Sequence, residues 1–134
     1  MTSSIAKSIV LVDDEKDILE FLCYNIRQEG YKVFTAANGE DALTLVRKIE
    51  PSMVLLDVMM PVMDGIEACR HIRSMPLGEQ PIIAMLTSRS EDYSQIAGFD
   101  AGADDYITKP IRPRLLIKKI ESLFRRMENT KGNT

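Results

Sequence analysis

A chain of 134 residues with 45% hydrophobic and 28% charged residues has the size and composition of one globular domain, which excludes a low-complexity protein. Its net charge of −3 excludes a globally basic nucleic-acid surface, and we interpret the basic residues near the C-terminus as the flank of a helix. The start has no apolar signal-peptide core, and no apolar run approaches the roughly 18 residues of a membrane span, so we expect a soluble, cytoplasmic protein with no membrane partner.

Short apolar runs alternate with helix-period segments along the chain, which predicts five repeats of a strand followed by a helix. In chain order the predicted elements are strand 9–12, a helix ending at Gly30, strand 31–36, helix 39–49, strand 53–56, a helix from the N-cap Asp64 to about Ser74, strand 82–86, a helix from Ser90 to near Gly102, strand 105–108 and a helix with an apolar stripe from Leu116 to Phe124. Cys23 and Cys69 lack metal-ligand spacing and are expected to be reduced core residues. Residues 1–127 form one predicted domain, and 128–134 a polar tail or linker stub.

The composition of the strands predicts their positions in one sheet. Strands 9–12, 53–56 and 82–86 are apolar throughout, as in parallel strands covered by helices on both faces. Strands 31–36 and 105–108 are more polar and are expected at the edges. Right-handed crossovers then give an α/β fold with a doubly wound, five-stranded parallel sheet of order 2-1-3-4-5 and five helices.

Polar residues are concentrated where the predicted strands end. Asp13 and Asp14 follow the first strand, Asp57 the third, Thr87 the fourth and Lys109 the fifth. In doubly wound sheets the carboxyl ends of the strands meet at one rim, where ligands bind. Paired acids after a strand are more often a helix cap than a metal site, but the matching groups at three other strand ends favour a functional site.

Three carboxylates within a few ångströms of one another repel unless a cation lies among them. Asp13, Asp14 and Asp57, with a backbone carbonyl near Met59, form a predicted Mg²⁺ site that leaves room for a phosphoryl group. With Mg²⁺ and Lys109 neutralising the phosphoryl oxygens, an Asp57 oxygen can attack phosphorus in line to form an aspartyl phosphate.

The Thr87 hydroxyl can then donate to a phosphoryl oxygen. This contact would pull the following loop and the fourth helix, which Gly98 weakens, toward the site. Phosphorylation is therefore predicted to produce a conformational signal.

Four motifs together identify the family that this chain resembles. They are VDDE at 12–15, LLDVMMPVMDG at 55–65, LTS at 86–88 and GADDYITKP at 102–110. Over residues 7–127 the chain resembles the receiver domain of a bacterial two-component response regulator, which has a flavodoxin-like fold.

The resemblance implies transfer of a phosphoryl group from a sensor histidine kinase to Asp57, with Mg²⁺ held by the acids. It also implies that Thr87 and Tyr106 reorient together, and that the Lys109–Pro110 peptide bond is cis. The implied protein assists its own phosphorylation and slow dephosphorylation, and is not a multiple-turnover enzyme.

Two further segments, DYITKP and LFRRM, are most similar to OmpR/PhoB-like regulators. That resemblance implies a homodimer through the fourth helix, fifth strand and fifth helix, and control of transcription through a C-terminal DNA-binding effector domain absent from this sequence. The chain has Leu115 where that subfamily has a glutamate and Lys119 where it has an arginine, which softens the expected ion pairs of the dimer. A stand-alone receiver acting through protein–protein contacts is the alternative.

The residues just beyond the phosphoacceptor and beyond Thr87 are expected to tune hydrolysis. Met59 borders the path of the hydrolytic water and is too apolar to orient it, which predicts a slow loss of phosphate. Arg89 is the second candidate for this role. His71, the only histidine, falls off the apolar stripe of its helix and is expected at the surface.

Three other classes of protein share part of this pattern with a phosphorylated receiver. An aspartate-nucleophile phosphatase of the haloacid dehalogenase type needs a general acid two residues after the nucleophile, where this chain has Met59. A flavodoxin-like nucleotide binder offers hydroxyls and amides in its first loop, whereas DDEKD at 13–17 offers carboxylates. A degenerate receiver that signals without phosphate is disfavoured, because every expected polar position is filled.

Overall fold

The computed structural model describes residues 6–88 and 92–132. The strands are β1 (Ser8–Val12), β2 (Lys32–Ala36), β3 (Met53–Asp57), β4 (Ile82–Ser88) and β5 (Asp105–Lys109). The helices are α1 (Lys16–Gln28), α2 (Gly39–Ile49), α3 (Gly65–Arg73), α4 (Asp92–Ala101) and α5 (Pro113–Gly132). Ser90, the predicted start of the fourth helix, lies outside the described residues.

The five strands form one parallel sheet in the order β2-β1-β3-β4-β5, as the distribution of apolar residues predicted. All five residues of β3 are buried, whereas β2 and β5 at the edges are partly exposed. Val12 pairs with Leu56, so the acids that follow β1 and end β3 reach the same level of the sheet. The register therefore brings Asp13 and Asp57 to the same edge of the sheet, at the carboxyl ends of the strands.

Helices cover both faces of the sheet because successive strand residues point to opposite sides. Val10 and Val12 pack toward α2, α3 and α4, while Ile9 and Leu11 pack toward α1 and α5. Full burial of each large aliphatic side chain contributes about 1.5–3 kcal/mol, which fixes which face of the sheet each strand residue can occupy. This double cover explains why the central strands have no polar alternation.

Side-chain caps determine where two helices begin at the functional rim. The Asn38 side chain accepts a hydrogen bond from the Asp41 amide of α2 at 2.8 Å. Asp64 accepts from the Glu67 amide at 2.9 Å and forms a capping box with that residue, which confirms the predicted N-cap of α3. The capping box thus fixes where α3 begins in the segment that follows β3 and Asp57.

The fifth helix extends through most of the segment predicted as a polar tail, ending at Gly132. An ion pair of 2.6 Å between Lys7 and Glu128 joins this extension to the start of β1.

Cys23 and Cys69 are free and buried, as predicted. Within the described ranges, no helix has both the length and the apolar content to cross a membrane.

Candidate functional site

The rim of the sheet brings together the three predicted acids. One carboxylate oxygen from each of Asp13, Asp14 and Asp57 lies within 4.8 Å of the others. Asp13 and Asp57 are 0% and 2% exposed, whereas Asp14 is exposed to solvent. The Glu15 amide donates to Asp13 Oδ1 at 2.9 Å, which orients this carboxylate at the start of α1. The sheet thus holds two desolvated carboxylates beside a third, hydrated one.

Lys109 is the cation that the fold places against these acids. Its Nζ lies 3.1 Å from Asp57 Oδ1 and 3.4 Å from Asp13 Oδ2. The lysine ends β5, and its peptide bond to Pro110 is cis. The Met59 amide also donates to Asp57 Oδ1, at 3.3 Å. One ammonium group is therefore shared between two buried carboxylates, and Asp57 Oδ1 is held by two donors.

The electrostatics of the site are unbalanced. Burial raises the pKa of Asp57 to about 6, the Asp13 charge adds to this rise, and Lys109 opposes it. Burial lowers the pKa of Lys109, but Asp57 and Asp13 together outweigh burial and raise it above its ordinary value. A single positive charge does not offset the desolvated acids, so the site favours an additional cation.

The donor set fits a hard divalent cation. Asp13 Oδ2 is buried, and its one contact with a cation among the described residues is the 3.4 Å ion pair with Lys109, so its hydrogen-bonding capacity is not satisfied. Mg²⁺ takes oxygen ligands and neutralises charge on phosphoryl oxygens when bound. Asp13, Asp14 and Asp57 are the residues that would hold it.

Thr87 and Tyr106, the two predicted switch residues, lie on neighbouring strands. Thr87 is 1% exposed and follows Leu86, which pairs with Asp57 in the sheet. Its hydroxyl donates to the Ser88 carbonyl at 3.3 Å. Tyr106 pairs with Met85 on β4, and its ring is buried beneath α4. Thr87 and Tyr106 thus lie on the two strands between the acid cluster and α4.

The structure also places four other residues singled out in the sequence. The Met59 side chain is 63% exposed at the edge of the site, and His71 is exposed on α3. Leu115 is 57% exposed on α5, whereas Lys119 pairs within the chain with Asp105 at 3.3 Å. Arg89, the second candidate for tuning hydrolysis, lies outside the described residues.

Two residues that hold α4 or its contact with Tyr106 were not predicted as functional from the sequence. Arg73 Nε donates to the Gly102 carbonyl at 2.8 Å, and Arg73 also pairs with Asp104 at 2.9 Å. Gly98, interpreted only as a weak point of the helix, faces the Tyr106 hydroxyl. Neither a basic residue on a helix nor a glycine within one indicates such contacts by itself. The partners in these contacts lie in the motif GADDY at 102–106.

The family comparison covers all five strands and most of the helical structure. Residues 9–121 match the model of the response regulator receiver domain. The chain is similar to the chemotaxis protein CheY4 of Vibrio cholerae, with 30% identity over 88% of this chain and 98% of that one and a TM-score of 0.83. It is also similar to a CheY-like receiver domain protein of Methanospirillum hungatei JF-1, with 29% identity over 94% and 99% of the two chains and a TM-score of 0.87.

A third similar structure is described as an activated state. The chain is 36% identical to the BeF3-activated DrrB receiver domain, over 90% of this chain and 99% of that one, with a TM-score of 0.78. Each match covers nearly the whole length of the solved structure, so the similarity includes the sheet, the helices and the carboxyl ends of the strands.

Proposed function

This chain belongs to the response regulator receiver family and is a phosphorylation switch rather than a multiple-turnover enzyme, and we propose that Asp57 is its phosphoacceptor and a sensor histidine kinase its phosphodonor. One observation carries the proposal: a buried carboxylate at the end of β3 lies 3.1 Å from Lys109 Nζ and within 4.8 Å of two further acids. In a purely structural ion pair the two additional carboxylates would only add repulsion. In phosphoryl transfer they bind the metal ion that neutralises the phosphoryl group.

The hydrogen bonds of Asp57 favour one of its oxygens as the nucleophile. Oδ1 accepts from Lys109 and from the Met59 amide, whereas among the described residues no hydrogen bond ends on Oδ2. We assign Oδ2 to the attack: its bond to phosphorus forms as the phosphorus–nitrogen bond of the phosphohistidine breaks, and the electron pair returns to the imidazole. Lys109 stabilises the charge on the phosphoryl oxygens.

Transmission of the signal uses the buried Thr87 and Tyr106. The Thr87 hydroxyl bonds weakly to a neighbouring carbonyl at 3.3 Å, a contact that a charged phosphoryl oxygen can replace with a stronger one. Movement of Thr87 changes the space next to β4, and the Tyr106 side chain on β5 reorients in response. The switch thereby changes the surface formed by α4, β5 and α5.

The phosphoacceptor assignment is tested by intact mass after incubation with Mg²⁺ and acetyl phosphate. We expect the wild-type protein to gain one phosphate and the Asp57→Asn variant to gain none. Asp64→Asn provides a matched control, since Asp64 caps α3 outside the acid cluster. Equal phosphate gain by Asp57→Asn and the wild-type protein would remove Asp57 from this role, as would no gain by either.

Met59 is predicted to set the lifetime of the phosphate. Its exposed thioether borders the site and cannot orient a water molecule, so Met59→Asn should accelerate dephosphorylation by supplying a hydrogen-bonding amide, about tenfold if the amide contributes about 1.4 kcal/mol. The loss of phosphate with time, followed by mass, measures this rate. Met59→Leu keeps the apolar character and should leave the rate unchanged; equal rates in all three proteins would contradict the prediction.

The output surface supports two functions. The exposed apolar side chains Ile96, Phe99 and Leu115 on α4 and α5 support an OmpR/PhoB-like homodimer that controls transcription through an effector domain. The similarity to the chemotaxis protein CheY4 and to a CheY-like receiver domain protein supports a stand-alone receiver that binds another protein. Sedimentation with and without BeF3⁻ distinguishes them: a dimer only in the activated state favours the first.

A further inference from the structure

The Tyr106 ring occupies a site that depends on the absence of a side chain on α4. Tyr106 is 8% exposed, and a Cβ atom built on Gly98 would lie 1.8 Å from its hydroxyl oxygen and 2.8 Å from its Cζ. Protein interiors are close-packed, and non-bonded atoms do not approach to such distances. The buried ring and a side chain at residue 98 therefore exclude each other.

The backbone of α4 at this point is held in place. The Ala103 amide donates to the Gly98 carbonyl at 2.9 Å, and the Gly102 amide to the Phe99 carbonyl at 3.0 Å. Arg73 on α3 then binds the Gly102 carbonyl at 2.8 Å. Because these bonds fix the C-terminal end of α4 to α3 and to the loop before β5, a clash at residue 98 is relieved by rotation of the tyrosine.

The ring has specific partners in its buried position. It contacts the Phe99 ring edge-to-face, with centroids 5.0 Å apart and planes at 67°. Burial raises the pKa of the Tyr106 phenol, and a hydrogen bond with the Gly98 backbone opposes that rise. Phe99 and Gly98 together give α4 one aromatic contact and one polar contact with the tyrosine, and both are lost when the ring leaves.

We propose that Gly98 is the positioning residue that admits the Tyr106 ring to its buried site, so that the residue at 98 determines which orientation of the tyrosine α4 can accept. Any side chain there turns the ring outward and uncouples it from α4. The consequence for signalling rests on the proposed function, because it passes through Tyr106. The orientation of the ring does not, since it is a property of the unphosphorylated protein.

The orientation is measured by ¹⁹F NMR of protein labelled with 3-fluorotyrosine, with the Tyr106 signal assigned by its loss in Tyr106→Phe. In the wild-type protein we expect this signal to show a small H₂O/D₂O isotope shift. In Gly98→Ala the shift should rise to that of Tyr24, which is 64% exposed and serves as an internal reference. A folded Gly98→Ala variant in which the Tyr106 signal keeps its small shift overturns the proposal.

A matched control and a second variant keep the result interpretable. Asp100→Ala is an exposed substitution in the same helix and should leave the Tyr106 signal unchanged. If Gly98→Ala does not fold, the Gly98→Ala/Tyr106→Ala double variant should fold with a melting temperature at or above that of Tyr106→Ala, because alanine favours a helix more than glycine does. An equal loss of stability from Gly98→Ala in both backgrounds overturns the proposal.

The phosphate measurement separates this proposal from the function on which it rests. Gly98→Ala leaves the acid cluster and Lys109 in place, so it should gain phosphate on Asp57 as the wild-type protein does. Absence of phosphate on the wild-type protein would refute the proposed function, while the isotope shift still decides the role of Gly98.

Discussion

Replacing Lys109 with methionine should lower the free energy of unfolding of the metal-free protein by about 2–3 kcal/mol, because the substitution leaves two buried carboxylates without a cation. The lysine side chain is 22% exposed, which places the expected loss below that of a fully buried pair. The loss is measured by chemical denaturation in the presence of EDTA. Added Mg²⁺ should restore part of the stability, since it supplies the missing positive charge.

The same variant should accept phosphate from acetyl phosphate at least about a hundredfold more slowly, since the charge on the transferring group loses a preorganised donor. Lys118→Met is the matched control: this lysine is 77% exposed and 3.8 Å from Glu121, so its removal should change stability by less than about 0.5 kcal/mol. If the two methionine variants lose equal stability, Lys109 does not stabilise the acid cluster. In the Asp57→Asn background the cost of Lys109→Met should be smaller, because one buried charge is already gone.

Replacing Gly65 with alanine should destabilise the protein by about 3 kcal/mol, although alanine favours a helix more than glycine does. A Cβ atom at this first residue of α3 would lie 2.2 Å from the Asp57 carbonyl oxygen and 3.0 Å from the Val58 Cα. Both neighbours are backbone atoms of the segment that carries Asp57, the proposed phosphoacceptor, and the Gly65 amide itself donates to the Val58 carbonyl at 2.9 Å. The clash therefore cannot be relieved by turning a side chain.

The displacement of Asp57 should also reduce the amount of phosphate that the Gly65→Ala variant accepts. Gly78→Ala provides a control on an exposed loop, where the added Cβ would lie 3.5 Å from a Glu50 oxygen, an ordinary contact. Thermal unfolding followed by circular dichroism measures both variants. If Gly65→Ala is as stable as Gly78→Ala, the predicted backbone clash at residue 65 does not occur.

The strand order and the acid cluster were predictable because each depends on a local pattern. Buried parallel strands are continuous apolar runs, and the polar residue that ends each run lies at the common rim of the sheet. Asp57 and Lys109 are 52 residues apart in the chain but meet at 3.1 Å, because both end parallel strands of the same sheet. A pattern that defines strands therefore also defines the site.

The roles of Arg73, Gly98 and the end of α5 depend on contacts that no local pattern contains. Arg73 lies on a helix in a position typical of a hydrated side chain, and two of its acceptors, Gly102 and Asp104, lie beyond the next strand. Gly98 weakens helix propensity whatever its neighbour, so its fit to the Tyr106 hydroxyl is invisible in the spacing. The apolar stripe of α5 ends near Met127, so the sequence gives no reason to extend the helix further. The polar turns that follow are joined to the start of β1 by the Lys7–Glu128 ion pair.

The attachment of Gly102 to Arg73 determines the kind of movement that α4 can make. The helix has 10 residues and is about 15 Å long, and its C-terminal end is tied to α3. A displacement that starts at the Thr87 end is therefore a tilt about a fixed end, and a tilt of about 10° moves the start of the helix by about 3 Å, given that length. In such a tilt Ile96 would move further than Phe99, and a partner on this face would meet it at a different angle.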